Sequence, residues 1–113
     1  MLSAARGCAL QGITGMSVTV ECDLARGLPS FDIVGLPDPT VRESRERVRA
    51  AIRNSGYEFP LSRITVNLAP ADVRKVGVGL DLPIAVSILA ASGQSPHKGL
   101  EGITLIGELS LEG

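Results

Sequence analysis

Five arginines on one predicted helix are the residues of this sequence best suited to bind a ligand. They are Arg42, Arg45, Arg47, Arg49 and Arg53. At 100° per residue, all of them except Arg47 fall within an arc of about 80° beside the apolar stripe of the helix. Arg45, Arg49 and Arg53 follow one another at intervals of four residues, and this i,i+4 row contains no acid, which is mildly repulsive unless an anion faces it. We call these three residues, together with Arg42, the arginine row. The row predicts a contact with phosphates or with the carboxylates of a neighbouring subunit.

A solvated helix face is the alternative interpretation of the same residues. The pairs Arg42–Glu46 and Glu43–Arg47 have i,i+4 spacing. Each such pair stabilises an exposed helix by only a few tenths of a kcal/mol and needs no ligand. The residues alone leave both interpretations open.

A second candidate is the basic, glycine-bearing segment from Arg74 to Gly79, which leads into a helix predicted to begin near Asp81. Backbone amides at such a junction can bind an anion, and Lys75 would add positive charge. However, no G-x-x-x-x-G-K-[ST] motif occurs in the sequence, and no G-x-G-x-x-G follows a strand. Asp81, the predicted N-cap, would also repel phosphate. The segment therefore argues against nucleotide binding.

The other reactive side chains form no catalytic or metal-binding pattern. His97 has no evident partner and is predicted to lie at the surface, and Ser87 is predicted to be a satisfied core hydroxyl. One His and two Cys are too few for a structural zinc site. Cys8 and Cys22 lack both a CxxC pattern and a signal peptide, which predicts free thiols. We expect no catalytic residue, metal or cofactor in these 113 residues.

Composition limits the class of protein. A chain of 113 residues that is 44% hydrophobic and 20% charged is typical of one folded domain. The formal net charge of −1 argues against a globally basic nucleic-acid-binding protein but permits a local basic face. Phe31, Tyr57 and Phe59 are the only aromatic residues, which argues against a base-stacking module. No apolar run approaches the ~20 residues of a membrane-spanning helix.

Hydrophobic patterning predicts an α+β fold that positions these residues. Alternation predicts strands at residues 2–10, 16–24, 30–34, 61–68 and 103–111, the first three as a β-meander with a turn at 12–15. Asp38 as N-cap and Pro39 in the first helical position predict a helix that runs to about Asn54 and is terminated by Gly56. A second helix is predicted from Leu82 to Ser92. Because it is apolar on nearly all sides, it should be central.

Four segments of the sequence, taken together, are characteristic of a known protein family. They are GLPSF with IVGLPD at 27–38, VRESRERVRAAI at 41–52, RITVNLAPAD at 63–72 and GELSL at 107–111. This combination resembles the N-terminal domain of the ComM/YifB family of magnesium-chelatase-like AAA+ ATPases, and the likeness covers essentially the whole chain. The resemblance implies that residues 1–113 are a single N-terminal accessory domain, truncated from a longer AAA+ protein.

The resemblance also implies the setting of the longer protein. Its C-terminal AAA+ module would bind ATP and Mg, and the parent would be a cytoplasmic bacterial ATPase that assembles as a homo-hexamer. It would move on single- or double-stranded DNA without sequence preference. Some family members resemble branch-migration helicases that act in natural transformation.

The implied fold is similar to the Lon-protease domain and to a ribosomal-protein domain. It has two layers, with a mixed sheet of four to five strands and two main helices. In Lon-type proteases the nucleophilic serine follows a glycine-bearing loop at the start of a helix, and that position falls at Asp81 here. The partner lysine would lie after Gly113. A Ser–Lys dyad is therefore absent from this sequence.

The expected function is that of a noncatalytic domain that contacts DNA or adjacent subunits. The candidate contact residues are Arg42, Arg45, Arg49, Arg53, Arg74 and Lys75. The alternative is a degenerate Lon-type protease domain that serves as an oligomerisation scaffold while DNA is bound elsewhere. An active peptidase is a third, weaker hypothesis.

Overall fold

The computed structural model describes residues 1–11, 14–96 and 98–113. Its elements in chain order are β1 Leu2–Gln11, β2 Thr14–Ala25, β3 Ser30–Val34, α1 Pro39–Arg42, α2 Ser44–Asn54, β4 Arg63–Ala69 and α3 Asp81–Ala91. The strands form one sheet in the order β1-β2-β4-β3, in which only β3 and β4 are parallel. The predicted α+β class with a mixed sheet is confirmed. None of the helices in these residues is long and apolar enough to cross a membrane.

One face of the sheet forms the core under the helices. Its inward side chains include Val20 and Cys22 of β2 and Val66 of β4, and all three are buried. Thr19 and Thr65, which alternate with them, are exposed on the opposite face. Helix α3 packs against β1, β2 and α2 and buries most of its surface, as predicted for a central helix. The fold is therefore two-layered, with the helices on one face of the sheet and exposed side chains such as Thr19 and Thr65 on the other.

The two cysteines are free, as predicted. Cys22 lies in the core, where burial raises the pKa of its thiol to about 12. It therefore stays neutral at physiological pH and acts as a small apolar side chain.

The prediction of a β-meander is wrong. β1 and β2 pair in antiparallel fashion, but β4 separates β2 from β3. Parallel partners need a crossover connection, and α1 and α2 provide it between β3 and β4. Alternation indicates which side of a strand is buried but not which strand lies beside it, so the sequence pattern could not separate these topologies.

The first helical region is predicted correctly at its ends but not in its middle. The Asp38 side chain accepts a hydrogen bond of 2.8 Å from the amide of Val41, which confirms it as the N-cap. The predicted single helix is divided into α1 and α2 at Glu43. Gly56 follows the end of α2 with φ +88°, the left-handed conformation expected after a helix.

The predicted strand at residues 103–111 does not form. The amide of Leu105 donates to Arg6 O at 2.8 Å, but Gly107 both donates to Gly79 O and accepts from the amide of Leu82. A single bond to β1 does not make a strand ladder, and the bonds of Gly107 tie the backbone to the loop before α3 and to α3 itself. The predicted turn residues Gly12 and Ile13, and His97, lie outside the described residues.

Gly35 provides a test of the backbone path between β3 and α1. It has φ +102°, and an added Cβ would overlap the carbonyl group of Leu68. We expect Gly35→Ala to lower the free energy of unfolding by about 3 kcal/mol or more, because strain and overlap add. Gly56→Ala is the matched control, since Gly56 also has positive φ but has no atom within 4 Å of the added Cβ. Its expected cost is about 1 kcal/mol.

Urea denaturation of the two variants measures this difference. Equal midpoints would show that the close approach of Gly35 to β4 does not constrain the fold.

Candidate functional site

Arg47 and Asp81 form an ion pair between α2 and α3. Arg47 Nε donates to Asp81 Oδ2 at 2.7 Å, and Nη2 donates to Oδ1 at 3.1 Å. Ser44 Oγ donates to Oδ1 at 2.5 Å, and the amide of Leu109 donates to Oδ2 at 3.0 Å. The carboxylate thus joins α2, α3 and the segment that follows residue 103.

This arrangement corrects the prediction that Asp81 caps α3. Asp81 is the first residue of the helix, Leu80 is the cap, and no side chain caps the helix there. The Asp81 side chain is 0% exposed, and its hydrogen bond raises the pKa of the Arg47 guanidinium. Both carboxylate oxygens accept two hydrogen bonds each, so Asp81 has a structural role at the position where the Lon resemblance places a nucleophile.

The start of α3 does not fit a nucleotide phosphate. The amide of Asp81 donates to Val78 O at 3.4 Å, and the amide of Leu82 donates to Gly107 O at 3.0 Å. These donors are therefore already used, and the adjacent buried carboxylate would repel an anion. Among the described residues, no group of three or more His, Cys, Asp and Glu side chains could hold a metal ion.

Lys75 does not belong to a contact surface, and its prediction as a contact residue is wrong. It is fully buried, and its Nζ donates to Gly35 O at 2.8 Å and to Pro70 O. Burial lowers the pKa of this ammonium group. The cause is the fold of the loop, in which the backbone of Lys75 bonds with Leu36 and Asp38. Its neighbour in the sequence, Arg74, is exposed.

At the first half of the arginine row, Arg42 and Arg45 lie beside the edge strand β3. Arg45 Nε donates to Arg42 O at 3.3 Å, and its Nη1 lies 3.5 Å from Phe31 O. The two arginines border an open hollow of about 240 Å³ together with Asp32 and Ile33. The Arg45 guanidinium is thus positioned by weak contacts with two backbone carbonyls, and the Arg42 guanidinium makes no hydrogen bond within the described residues.

At the second half of the row, Arg49 and Arg53 pack on aromatic rings. The Arg49 guanidinium lies 5.4 Å from the centre of the Phe59 ring and 6.0 Å from that of Phe31, and Arg53 lies 5.7 Å from Phe59. The two rings are 5.6 Å apart. We call Phe31, Arg49, Arg53 and Phe59 the aromatic–arginine cluster. No local spacing could reveal this cluster, because its members come from β3, α2 and the loop before β4.

The predicted ion pairs of the helix are formed only in part. Arg47 Nη1 lies 3.6 Å from Glu43 Oε2, as the i,i+4 spacing predicts. Glu46 pairs instead with Arg49, at 3.5 Å. Both acids are largely exposed, so these pairs contribute little to stability.

Comparison with known proteins agrees with this structure. A family model described as subunit ChlI of Mg-chelatase matches residues 20–113. The chain belongs to this family.

Relatives of this ChlI-family chain include YifB and ComM. The chain is 54% identical over 102 residues to the uncharacterized protein YifB of Salmonella typhimurium. The matched region covers 90% of the chain and 20% of YifB. The chain is 48% identical over 105 residues to the competence protein ComM of Haemophilus influenzae, covering 93% of the chain and 21% of ComM. The chain thus spans about a fifth of the length of these relatives. The predicted resemblance to the ComM/YifB family is confirmed.

A more distant match supports the predicted Lon-like fold. The ChlI-family chain is 24% identical over 119 residues to a Lon protease of Solibacter usitatus, covering 99% of the chain and 14% of that protein. This agrees with the mixed four-stranded sheet and its helical layer. At this identity the likeness concerns the fold and not the activity.

The Arg47–Asp81 pair leads to a stability prediction. We expect Arg47→Met to lower the free energy of unfolding by about 3 kcal/mol or more, because it leaves the buried Asp81 carboxylate without its counter-charge. Arg42→Met is the matched control on the preceding helix, and because Arg42 is exposed its effect should stay within about 0.5 kcal/mol. Urea denaturation of both variants checks the difference. A small effect of Arg47→Met would contradict a structural role for the pair.

Proposed function

We propose that this chain is a noncatalytic accessory domain of a Mg-chelatase-like AAA+ ATPase and that the exposed and half-buried arginines of α1 and α2 bind DNA. One observation carries the proposal. Arg47 turns inward to Asp81, whereas Arg42, Arg45, Arg49 and Arg53 form no hydrogen bond to a buried acid in the described residues. Four guanidinium groups therefore remain along one side of α1 and α2 and can meet an anion.

The noncatalytic role is supported by the state of Asp81. Its two oxygens are occupied by Arg47, Ser44 and Leu109, so it offers no free group for nucleophilic chemistry. ATP and Mg would be bound by the remainder of the parent protein, as the family description suggests. In this proposal the parent is a cytoplasmic hexamer that translocates on DNA and acts as a branch-migration helicase.

DNA contact is assigned first to Arg42, Arg45 and Arg74. Arg74 precedes Lys75, whose backbone is bonded to Leu36 and Asp38 immediately before α1, so Arg74 lies at the Arg42 end of the row. Guanidinium groups can bind phosphates through two parallel N–H donors. Because such contacts engage the backbone of DNA and not its bases, they give affinity without sequence preference. The printed name of ComM, a competence protein, is compatible with a role in DNA handling.

A second candidate function is an oligomerisation scaffold derived from a Lon-type protease domain. The distant Lon match favours it, as does the buried ion pair at the position where the Lon resemblance places a nucleophile. In this case DNA would be bound by other parts of the parent protein.

The salt dependence of DNA binding separates the two functions. In the full-length protein, replacing Arg42, Arg45 and Arg74 together by alanine should weaken duplex binding and reduce the slope of log K against log salt. Each lost phosphate contact lowers that slope by about 0.9. Fluorescence anisotropy with a labelled duplex at several salt concentrations measures the effect.

The matched control removes the same charge elsewhere. Arg6, Arg26 and Arg63 are also exposed, and their combined replacement by alanine changes the net charge equally. It should leave the slope nearly unchanged. Unaltered DNA binding by the first triple variant, or an equal loss in both, would contradict the DNA contact and leave the scaffold.

A further inference from the structure

In the aromatic–arginine cluster, Arg49 has only a long contact of 3.5 Å with the exposed Glu46, and Arg53 donates to no side chain among the described residues. Arg49 and Arg53 both lie within 6 Å of the Phe59 ring centre. A guanidinium that packs on an aromatic ring keeps its in-plane N–H donors available for a carboxylate. The same packing occupies ring surface that a nucleobase would need for stacking. The cluster is therefore better suited to acidic side chains than to bases.

Two highly exposed leucines flank this cluster. Leu28 is 87% exposed and Leu61 is 83% exposed. They lie in the loops that lead into β3 and β4, which run side by side because the amide of Ser30 donates to Ser62 O. Leu61 also lines a cavity of about 220 Å³ that includes the four cluster residues. Apolar side chains next to arginines and aromatics are typical of protein interfaces, which points to a peptide partner with both acidic and apolar residues.

The chain itself contains a segment of this chemistry. Residues 108–112 read ELSLE, and both glutamates are exposed. Leu111, between them, is 57% exposed. The segment is fixed beside the end of α2, where Asn54 Nδ2 donates to Leu111 O at 2.6 Å. The segment thus exposes acidic and apolar side chains, and its backbone is held by the hydrogen bond with Asn54.

We propose that the aromatic–arginine cluster of one copy docks the segment 108–112 of a second copy of this chain. Arg49 and Arg53 would bind the glutamates, and Leu28 and Leu61 would cover Leu111. The cluster cannot face itself across a two-fold axis, because its arginines would repel one another. The contact therefore joins two different surfaces, and it extends to further copies where it is not reciprocated across a two-fold axis. This goes beyond the proposed DNA contact and uses a different end of the arginine row.

Charge reversal tests the contact in the 113-residue chain, which carries both surfaces. The wild-type weight-average mass should rise above 11.8 kDa with concentration in sedimentation velocity. Arg49→Glu with Arg53→Glu, and separately Glu112→Arg, should each weaken self-association at least tenfold. Mixing the two variants should restore association between unlike copies, because the unchanged segment of the cluster variant then meets the unchanged cluster of the segment variant. Arg6→Glu with Lys98→Glu is the control of equal charge at two exposed positions, and it should associate like the wild type.

Three outcomes would overturn the proposal. The first is a wild-type chain that stays monomeric at all concentrations, and the second is self-association that charge reversal leaves unchanged. The third is failure of the mixed variants to associate although circular dichroism shows both to be folded. Loss of oligothymidine binding in the cluster variant, without any change of mass, would instead assign the cluster to nucleic acid. DNA binding through Arg42, Arg45 and Arg74 is measured separately, so either proposal can fail alone.

Discussion

The buried ion pair between Arg47 and Asp81 is the interaction on which the rest of this structure depends. A carboxylate with no exposure is costly unless its oxygens are fully bonded, and here three donors from α2 and the amide of Leu109 converge on this carboxylate of α3. The pair therefore fixes α2, α3 and the segment around Leu109 relative to one another. It also fixes the rotation of α2 about its axis. Arg47 faces α3, and the side of α2 that carries Arg45 and Arg49 faces away from Asp81.

Local features of the fold could be predicted from sequence, whereas features that join distant residues could not. The Asp38 cap and the inward parity of β2 depend on neighbours in the chain, and both are correct. The prediction that Asp81 caps α3 is wrong, because an acid before an apolar run is typical of an N-cap but the partner of this carboxylate, Arg47, is 34 residues away. The prediction that Lys75 is a contact residue fails for the same reason. Its Nζ donates to the carbonyl of Gly35, which belongs to another loop.

Composition was a weaker guide to the candidate site than position. Three aromatic residues are too few for a stacking surface by count, yet Phe31 and Phe59 meet under two arginines. The balanced net charge likewise conceals the concentration of arginines on one helix pair. The row itself could be predicted because it follows helical periodicity. Its division into two halves could not, because that depends on which strand and loop lie beside each turn of α2.

The two halves of the row differ in what holds the guanidinium groups, and this difference limits what each can bind. Arg45 has only long contacts with backbone oxygens, so it can reorient toward phosphates that vary in position along a polymer. Arg49 lies over two rings and loses less side-chain entropy on binding, which favours a partner of fixed geometry. A folded segment of another protein has such geometry, whereas a sliding nucleic acid does not. One helix can therefore serve a mobile and a fixed partner because its arginines are held with different rigidity.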